Sequence, residues 1–112
     1  MHEPLCCVDA IAEGTARGFI FGTGSRRRTI FVLRHGGIVR AYHNACPHQG
    51  TPLELVPDAF FDEQCRFLVC RTHGARFRPA DGFCVDGPCA GRSLTPVPVH
   101  VEAEMLVLDD AD

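Results

Sequence analysis

The sequence predicts an all-β fold of antiparallel sheets with an inserted, loop-rich subdomain. Runs of strand length rich in β-branched and aromatic residues lie towards both ends of the 112-residue chain, and turn residues separate them. The middle of the chain is rich in cysteine and proline instead. No apolar stripe with helical periodicity is long enough to predict an α-helix of ordinary length.

A β-hairpin is predicted between residues 28–35 and 38–45, two runs of β-branched and aromatic residues. Gly36 and Gly37 separate the runs, and a pair of glycines is a strong signal for a two-residue hairpin turn. Residues 30–33 are apolar without interruption. The first strand is therefore expected to be buried on both faces.

The C-terminal part predicts two more strands. From residue 97 to 104, valine and alanine alternate with proline, histidine and glutamate, which is typical of a half-buried strand. Pro96 and Pro98 have no N–H to donate to a sheet, so this strand is expected at an edge. A strand at 105–108 follows closely. We expect both ends of the chain to build one outer sheet.

The short elements of the middle segment are less regular. Residues 53–60 could make one or two helical turns, interrupted at Pro57. Residues 66–70 predict a short strand, and residues 74–85 predict a hairpin that turns near 80–82.

The composition of the middle segment sets it apart as a subdomain. Residues 44–92 hold five of the seven cysteines, between the outer strands. We expect one domain spanning residues 1–112, with this segment as its inserted ligand-binding part.

Charge and cysteine content exclude several classes of function. The formal net charge is −3, with eleven basic residues that are all arginine, so no nucleic-acid partner is expected. No apolar run is long enough to span a membrane. The arginines of residues 25–31 lack the apolar region of an export signal. We expect a cytoplasmic protein, in which seven cysteines indicate metal or redox chemistry before disulfides.

Two mixed pairs are the candidate metal ligands: Cys46 with His48, and Cys70 with His73. Structural zinc sites usually pair like with like along the chain. One thiolate and one imidazole from each loop suit two neighbouring metals better, one bound by sulfur and the other by nitrogen. A Rieske [2Fe–2S] centre has this ligand set, and structural zinc is the alternative.

The chain resembles the Rieske family, and the resemblance covers most of its length. The residues that carry it are Cys46-Pro47-His48-Gln49-Gly50, Pro52-Leu53, Cys70-Arg71-Thr72-His73-Gly74-Ala75-Arg76-Phe77, Asp81-Gly82, Gly87-Pro88 and Leu94-Thr95-Pro96-Val97. The resemblance implies the Rieske iron–sulfur fold and one [2Fe–2S] cluster. Cys46 and Cys70 would bind the inner iron, and His48 and His73 the iron nearer the surface. Gly87-Pro88 would belong to a loop that covers the cluster.

Four positions indicate which kind of Rieske protein this is. Respiratory-complex members carry a disulfide between the ligand loops, where this chain has Thr51 and Thr72. High-potential members donate serine and tyrosine hydroxyls where this chain has Ala75 and Phe77. Fewer hydrogen bonds to sulfur stabilise the reduced state less. The resemblance therefore implies a reduction potential at the low end of the Rieske range, about −150 mV.

The resemblance implies a soluble ferredoxin that shuttles single electrons. Its partners would be a flavin-containing reductase and a terminal oxygenase, such as an aromatic-ring-hydroxylating dioxygenase. An oxygenase subunit needs a further domain with a two-histidine, one-carboxylate iron site, for which the segment after His73 leaves no room. We expect an electron carrier that is not an enzyme by itself.

Two alternatives stay open. One is the small Rieske subunit of an assimilatory nitrite reductase, whose partner would be the large subunit. The other is a redox-sensing or structural metal module that transfers no electrons.

Several residues near the motifs have simpler interpretations. Cys65, Cys84 and Cys89 are expected to pack in the core, since free cysteine is among the most buried residue types. A disulfide between Cys84 and Cys89 is disfavoured in a reducing compartment. Arg71 and Gln49 lie beside the histidines in sequence and are candidates for a docking surface.

Overall fold

The structure is a computed structural model that describes residues 2–21, 28–47, 52–54, 58–72 and 74–109. Within them the chain forms nine strands and one 3₁₀ helix, and no helix is long and apolar enough to cross a membrane. The strands are β1 (His2–Cys7), β2 (Thr15–Phe21), β3 (Arg28–His35), β4 (Ile38–His43), β5 (Leu68–Val69), β6 (Arg76–Phe77), β7 (Cys84–Asp86), β8 (Val99–Glu102) and β9 (Met105–Asp109); the 3₁₀ helix is Val8–Ala10. They pair antiparallel in three sheets, β1-β9-β8, β2-β3-β4 and β5-β6-β7. The predicted antiparallel all-β fold is confirmed.

The first sheet joins the two ends of the chain, as predicted, and β8 lies at its edge. This strand is shorter than predicted: it begins at Val99 and ends at Glu102. Ala103 and Glu104 follow with φ of 52° and 65°, two left-handed residues that form the tight turn to β9. Val101 is 53% exposed, so the predicted half-burial ends before it.

The second sheet is separate from the first, which corrects the prediction of one outer sheet. β2, β3 and β4 pair in chain order. Gly36 and Gly37 make the predicted two-residue turn, with φ of 63° and 78°, as a type I′ hairpin requires. The Glu13 carboxylate accepts the N–H groups of both glycines at 2.7 and 2.9 Å. β4 ends at His43, two positions earlier than predicted.

β3 is buried on both faces, as predicted, and separates two apolar cores. Its alternating side chains enter both. We call one the site core; its buried members are Ala16, Phe31, Leu33, Tyr42, Cys46, Leu53, Phe60, Leu68, Cys70, Ala75, Phe77, Cys84, Cys89 and Leu94. We call the other the outer core; its buried members are Ile11, Ile30, Val32, Ala41, Val97, Leu106 and Leu108. The second sheet therefore lies between the first and third.

The third sheet is small. β5 confirms the short strand predicted within residues 66–70, and β6 and β7 confirm the hairpin predicted within residues 74–85. In the turn, Arg78 forms an ion pair with Asp81. The Asp81 carboxylate also accepts the N–H of Phe83 at 3.0 Å. One side chain thus holds both sides of the turn.

Two predictions for the middle segment differ from the structure. The described part of residues 53–60 is not helical, and residues 55–57 lie outside the described residues. Cys65 is exposed, so the prediction that it packs in the core is wrong. Its N–H donates to the Asp62 carbonyl at 3.0 Å, and its φ is 58°. This turn directs the chain at Cys65 towards solvent.

Candidate metal centre

Two loops bring the predicted cysteine ligands into one core. Cys46 follows β4 closely, and Cys70 comes directly after β5. Their side chains are 1% and 0% exposed, and both belong to the site core. The predicted histidine ligands, His48 and His73, lie outside the described residues. The structure therefore describes the sulfur half of the predicted ligand set.

Asn44, which no motif singles out, holds the first loop (residues 44–47 and 52–54) in shape. Its side chain is buried. Its Oδ1 accepts the Leu53 N–H at 2.8 Å, and its Nδ2 donates to the Glu54 carboxylate at 2.8 Å. These bonds tie the two described parts of the loop together around Cys46. An asparagine just after a strand and just before a cysteine motif is the signal that could have identified it.

The second loop (residues 70–72 and 74–75) is held by its own backbone hydrogen bonds. The Cys70 N–H donates to the Ala75 carbonyl at 2.8 Å, and the Gly74 N–H donates to the Cys70 carbonyl at 2.7 Å. The Arg71 N–H donates to the Leu53 carbonyl, also at 2.8 Å. Backbone hydrogen bonds therefore close the turn around Cys70 and link the second loop to the first.

The two positions that decide the predicted potential are apolar and buried. Ala75 and Phe77 belong to the site core together with both candidate ligands, and neither side chain has a hydrogen-bond donor. Thr72 is exposed, and Thr51 lies outside the described residues. All seven cysteines are described and none forms a disulfide.

A third loop (residues 84–92) packs against the second. The Cys84 N–H donates to the Arg92 carbonyl at 2.7 Å and closes the base of the loop. Gly87 has φ of 101°, and a Cβ added to it would lie 2.7 Å from the Ala75 Cα. Only glycine permits this contact. The segment that resembles the family's covering loop thus touches the second ligand loop directly.

Cys84 and Cys89 are buried, as predicted, and contribute two more thiols to the site core. Cys89 donates to the Cys84 sulfur at 3.2 Å, and Cys84 donates to the Asp86 carbonyl at 3.2 Å. Burial, the neighbouring Cys84 and contact with Cys46 together raise the pKa of Cys89 to about 12. Cys84 and Cys89 therefore form a buried, hydrogen-bonded pair of thiols in the site core.

Exposed arginines border the ligand loops. The guanidinium of Arg71, a predicted docking residue, donates to the Phe61 carbonyl at 2.7 Å. The guanidinium of Arg92 donates to the Pro47 carbonyl at 3.2 Å and joins the third loop to the first. Gln49, the other predicted docking residue, lies outside the described residues. Positive charge thus lies on loops next to both cysteine motifs.

The described donors fit the sulfur half of an iron–sulfur centre. Cys46 and Cys70 are buried on adjacent loops and can supply two thiolates. Within the described residues, no three His, Cys, Asp or Glu side chains are arranged to hold one metal ion. Cys84 and Cys89 therefore do not complete a four-cysteine zinc site.

Comparisons with known proteins give one family and several similar folds. The family model described as the Rieske [2Fe-2S] domain matches residues 3–102. The ferredoxin of carbazole 1,9a-dioxygenase from Nocardioides aromaticivorans IC177 is similar, with a TM-score of 0.70 and 20% identity over 96% of each chain. A complex of reduced oxygenase and oxidized ferredoxin in carbazole 1,9a-dioxygenase contains a chain with a TM-score of 0.73 and 20% identity. That match covers 96% of this chain and 91% of the other.

The terminal oxygenase of carbazole 1,9a-dioxygenase from Nocardioides aromaticivorans IC177 also matches, with a TM-score of 0.77 and 23% identity. The match covers 99% of this chain and 30% of the oxygenase chain. At these identities the likenesses establish a shared fold. A sequence search of curated proteins gives no match.

Proposed function

Because the chain belongs to the Rieske [2Fe–2S] family, we propose that it is a ferredoxin that carries single electrons from a flavin-containing reductase to a terminal oxygenase. The family's [2Fe–2S] cluster, when bound, takes up and releases one electron. The observation that carries the proposal is the burial of Cys46 and Cys70 on two hydrogen-bonded loops. The likeness to a dioxygenase ferredoxin over nearly the whole of both chains supports it.

The proposed ligands are Cys46 and Cys70 for one iron and His48 and His73 for the other. The cysteines supply anionic sulfur shielded from water, and the histidines supply neutral nitrogen. We assign residues 44–92 to the cluster-binding subdomain. The protein acts in this proposal as an electron carrier in the cytoplasm and not as an enzyme by itself.

The side chains around the cysteines support a low potential. Ala75 and Phe77 are buried beside them and offer no hydroxyl to a sulfur atom. Since hydrogen bonds to sulfur favour the reduced state, their lack favours a potential near the low end of the Rieske range, about −150 mV.

The arginines beside the ligand loops indicate the chemistry of the docking partner. Arg71 and Arg92 are exposed and already tethered to backbone carbonyls, so little side-chain entropy is lost when a partner binds. An acidic patch on the partner would complement them. Such steering mainly raises the association rate and weakens with salt.

The test follows electron transfer between purified components. Protein purified without oxygen is reduced with dithionite and mixed with the oxidised terminal oxygenase of carbazole 1,9a-dioxygenase, or with a nitrite reductase large subunit. We expect the oxygenase to reoxidise the protein, more slowly at high salt. Arg71→Ala should slow the reaction several-fold, whereas Arg17→Ala, an exposed arginine of β2, should not.

Two outcomes would contradict the proposal. One is transfer to the nitrite reductase subunit alone. The other is a protein that holds the cluster, cycles between its two redox states and passes electrons to neither partner.

A further inference from the structure

The edges of the first and second sheets are not equally protected. In the described residues these sheets end at four strands, β1, β8, β2 and β4. Residues 95–97 run along β4, where the Val97 N–H donates to the Ala41 carbonyl at 2.9 Å. In the middle of β2, the Gly18 N–H donates to the Asp58 carboxylate at 2.8 Å. Two of the four edges are therefore occupied by other parts of the chain.

The two edges of the first sheet differ from each other. β1 contains Pro4, which has no N–H, and a bulge between Pro4 and Cys6. Prolines and bulges are devices that keep an edge strand from pairing with another chain. β8 has neither, since it pairs with β9 in continuous register over all four of its residues. Among the described residues, no segment pairs with the outer edge of β8.

The turn after β8 determines which of its peptide groups face outwards. Residues 103–104 form a two-residue turn with positive φ at both positions, so Glu102 and Met105 exchange backbone hydrogen bonds. Along an antiparallel ladder such pairs alternate with pairs whose N–H and C=O groups point away from the partner strand. Val99 and Val101 belong to the second kind. The outer edge of β8 therefore offers two donors and two acceptors.

The same two valines mark a gap in the cover of the outer core. Val99 and Val101 lie opposite Leu108 and Leu106, and opposed residues share one face of a sheet. Both leucines are buried in the outer core, whereas Val101 is 53% exposed. A strand added at this edge would cover Val101 from the side. Apolar surface beside unpaired peptide groups is a template for strand addition.

We propose that β8 pairs antiparallel with β8 of a second copy of this chain, centred on His100, and joins two three-stranded sheets into one. Val99 then lies opposite Val101 of the copy, and four backbone hydrogen bonds use every outward-facing group of both strands. An unrelated strand would have to match this pattern, whereas a second copy does so by two-fold symmetry. The two His100 side chains meet at the axis, each beside its own Glu102 carboxylate at 3.0 Å, so each positive charge that forms there has a partner.

The position of β8 keeps this dimer apart from the candidate metal centre. The second sheet lies between the first sheet and the site core, which holds Cys46 and Cys70. The ligand loops therefore stay accessible in the dimer, and the inference does not rest on the proposed function. Strands of four residues make a small interface, so we expect a reversible dimer that depends on protein concentration.

The first experiment is sedimentation equilibrium of the loaded protein in reducing buffer, from micromolar to millimolar concentration. The mass should rise from that of one chain, 12.3 kDa, towards twice that value. Val101→Lys places a charge at the edge and should keep the mass of one chain. Ile38→Lys is the matched control, because Ile38 is also 53% exposed but lies in the second sheet; this variant should associate like the wild type. The visible absorbance of the cluster checks that each variant is folded.

A second experiment follows amide hydrogen exchange by NMR at low and high concentration of the wild-type protein. The N–H groups of Val99 and Val101 should exchange more slowly at high concentration. Those of His100 and Glu102, which face β9, should not change. This measurement needs no substitution, so it decides the question even where a variant loses its cluster.

A third experiment tests the register. Facing Cα atoms at the axis would be about 4.5 Å apart, which a disulfide can span. His100→Cys should therefore give a dimer linked through the two substituted positions, identified by peptide mapping with mass spectrometry. Ile38→Cys should give no such link.

Several results would overturn the inference. They are a constant mass of one chain at every concentration, association that persists in Val101→Lys, and association lost equally in Ile38→Lys. Unchanged exchange at Val99 and Val101 in a protein that does associate would show that another surface forms the dimer, and would also overturn it. None of these results bears on the proposed function, which is tested by electron transfer.

Discussion

The central sheet (β2-β3-β4) and the loop region, which consists of the third sheet and the three loops around it, are held together in different ways. Strands β2, β3 and β4 are seven, eight and six residues long, and β3 is packed between two apolar cores. The third sheet has strands of only two or three residues. Its loops are joined by individual hydrogen bonds and by the contact of Gly87 with Ala75.

This difference separates stability from function. The stability of the central sheet is spread over many apolar contacts, so its loss is expected to be cooperative. The loops that carry the proposed ligands depend on a few atoms, so a small substitution there can move a proposed ligand while most of the fold remains. Substitutions in the two regions should therefore have different signatures.

The largest effect is expected at Phe31, where the central sheet meets the site core. Its ring is fully buried and stacks on Phe60 with the ring centroids 4.3 Å apart. Phe31→Ala should lower the free energy of unfolding by about 3–5 kcal/mol because it leaves a cavity. Ile30→Val, on the opposite face of the same strand, should cost about 0.5–1.5 kcal/mol. Denaturant titration measures both, and equal losses would contradict the packing described.

The next effect is expected in the third loop, at Gly87. Alanine there must adopt a left-handed φ, at about 1–2 kcal/mol, and must also displace the Ala75 backbone, at about 1–3 kcal/mol more. Gly91 has φ of 92°, and nothing lies within 4 Å of an added Cβ. Gly91→Ala should therefore show only the first cost.

The Gly87 pair also tests whether the third loop supports the ligand loops. Gly87→Ala should alter the EPR line shape of the loaded protein, and Gly91→Ala should leave it as in the wild type. If both variants lose equal stability and keep the wild-type spectrum, the contact between the second and third loops is unimportant.

A smaller effect is expected at Asn44. Asn44→Ala leaves the buried N–H of Leu53 without its acceptor, at about 1–3 kcal/mol. The first loop should loosen before the central sheet does, so the visible absorbance of the cluster should decay faster in the variant. Asn44→Asp keeps an acceptor for Leu53 but places a carboxylate against that of Glu54. Wild-type absorbance decay in both variants would show that Asn44 does not hold the loop.

The smallest effect is a dependence on pH at the turn of the central hairpin. Hydrogen bonds from the N–H groups of Gly37 and Gly36 hold the pKa of Glu13 below its usual value of 4.5. A lowered pKa contributes stability above the usual value, and this stability is lost as the pH falls through the folded value. Glu13→Gln should therefore flatten the acid side of the thermal-midpoint profile. An unchanged acid slope would contradict this role.

Asp81 offers the matching test in the loop region. The pKa of Asp81 is lowered, first by the hydrogen bond from Arg78 and then by the N–H of Phe83. The stability that Asp81 contributes to its turn is therefore also lost on acidification. Asp81→Asn should reduce the acid sensitivity of the cluster spectrum, whereas Glu13→Gln should leave that spectrum unchanged. The reverse pattern would contradict the division between the two regions.

Features with local signals were predictable from the sequence. The paired glycines at 36 and 37 and the continuous apolar run at 30–33 predicted a buried hairpin strand that the structure confirms. The mixed Cys/His pairs predicted the family, which the family model confirms. In each case the signal lies within a few consecutive residues.

Features that depend on distant parts of the chain were not predictable. The division of the outer strands into two sheets depends on the pairing of β1 with β9, which no local pattern encodes. The hydrogen bond from Arg92 to the Pro47 carbonyl and the burial of Asn44 likewise arise only when separate loops meet. The prediction that Cys65 packs in the core was wrong because it used residue type alone, whereas the turn at Cys65 leaves this residue exposed.

The most direct measurement is an EPR-monitored redox titration of wild-type protein purified without oxygen, with iron, sulfide and zinc determined on the same sample. We expect a Rieske-type signal on reduction, with a midpoint near the low end of the family range, about −150 mV. A midpoint hundreds of millivolts higher would contradict the role given to Ala75 and Phe77. Zinc without a signal would contradict the iron–sulfur centre itself.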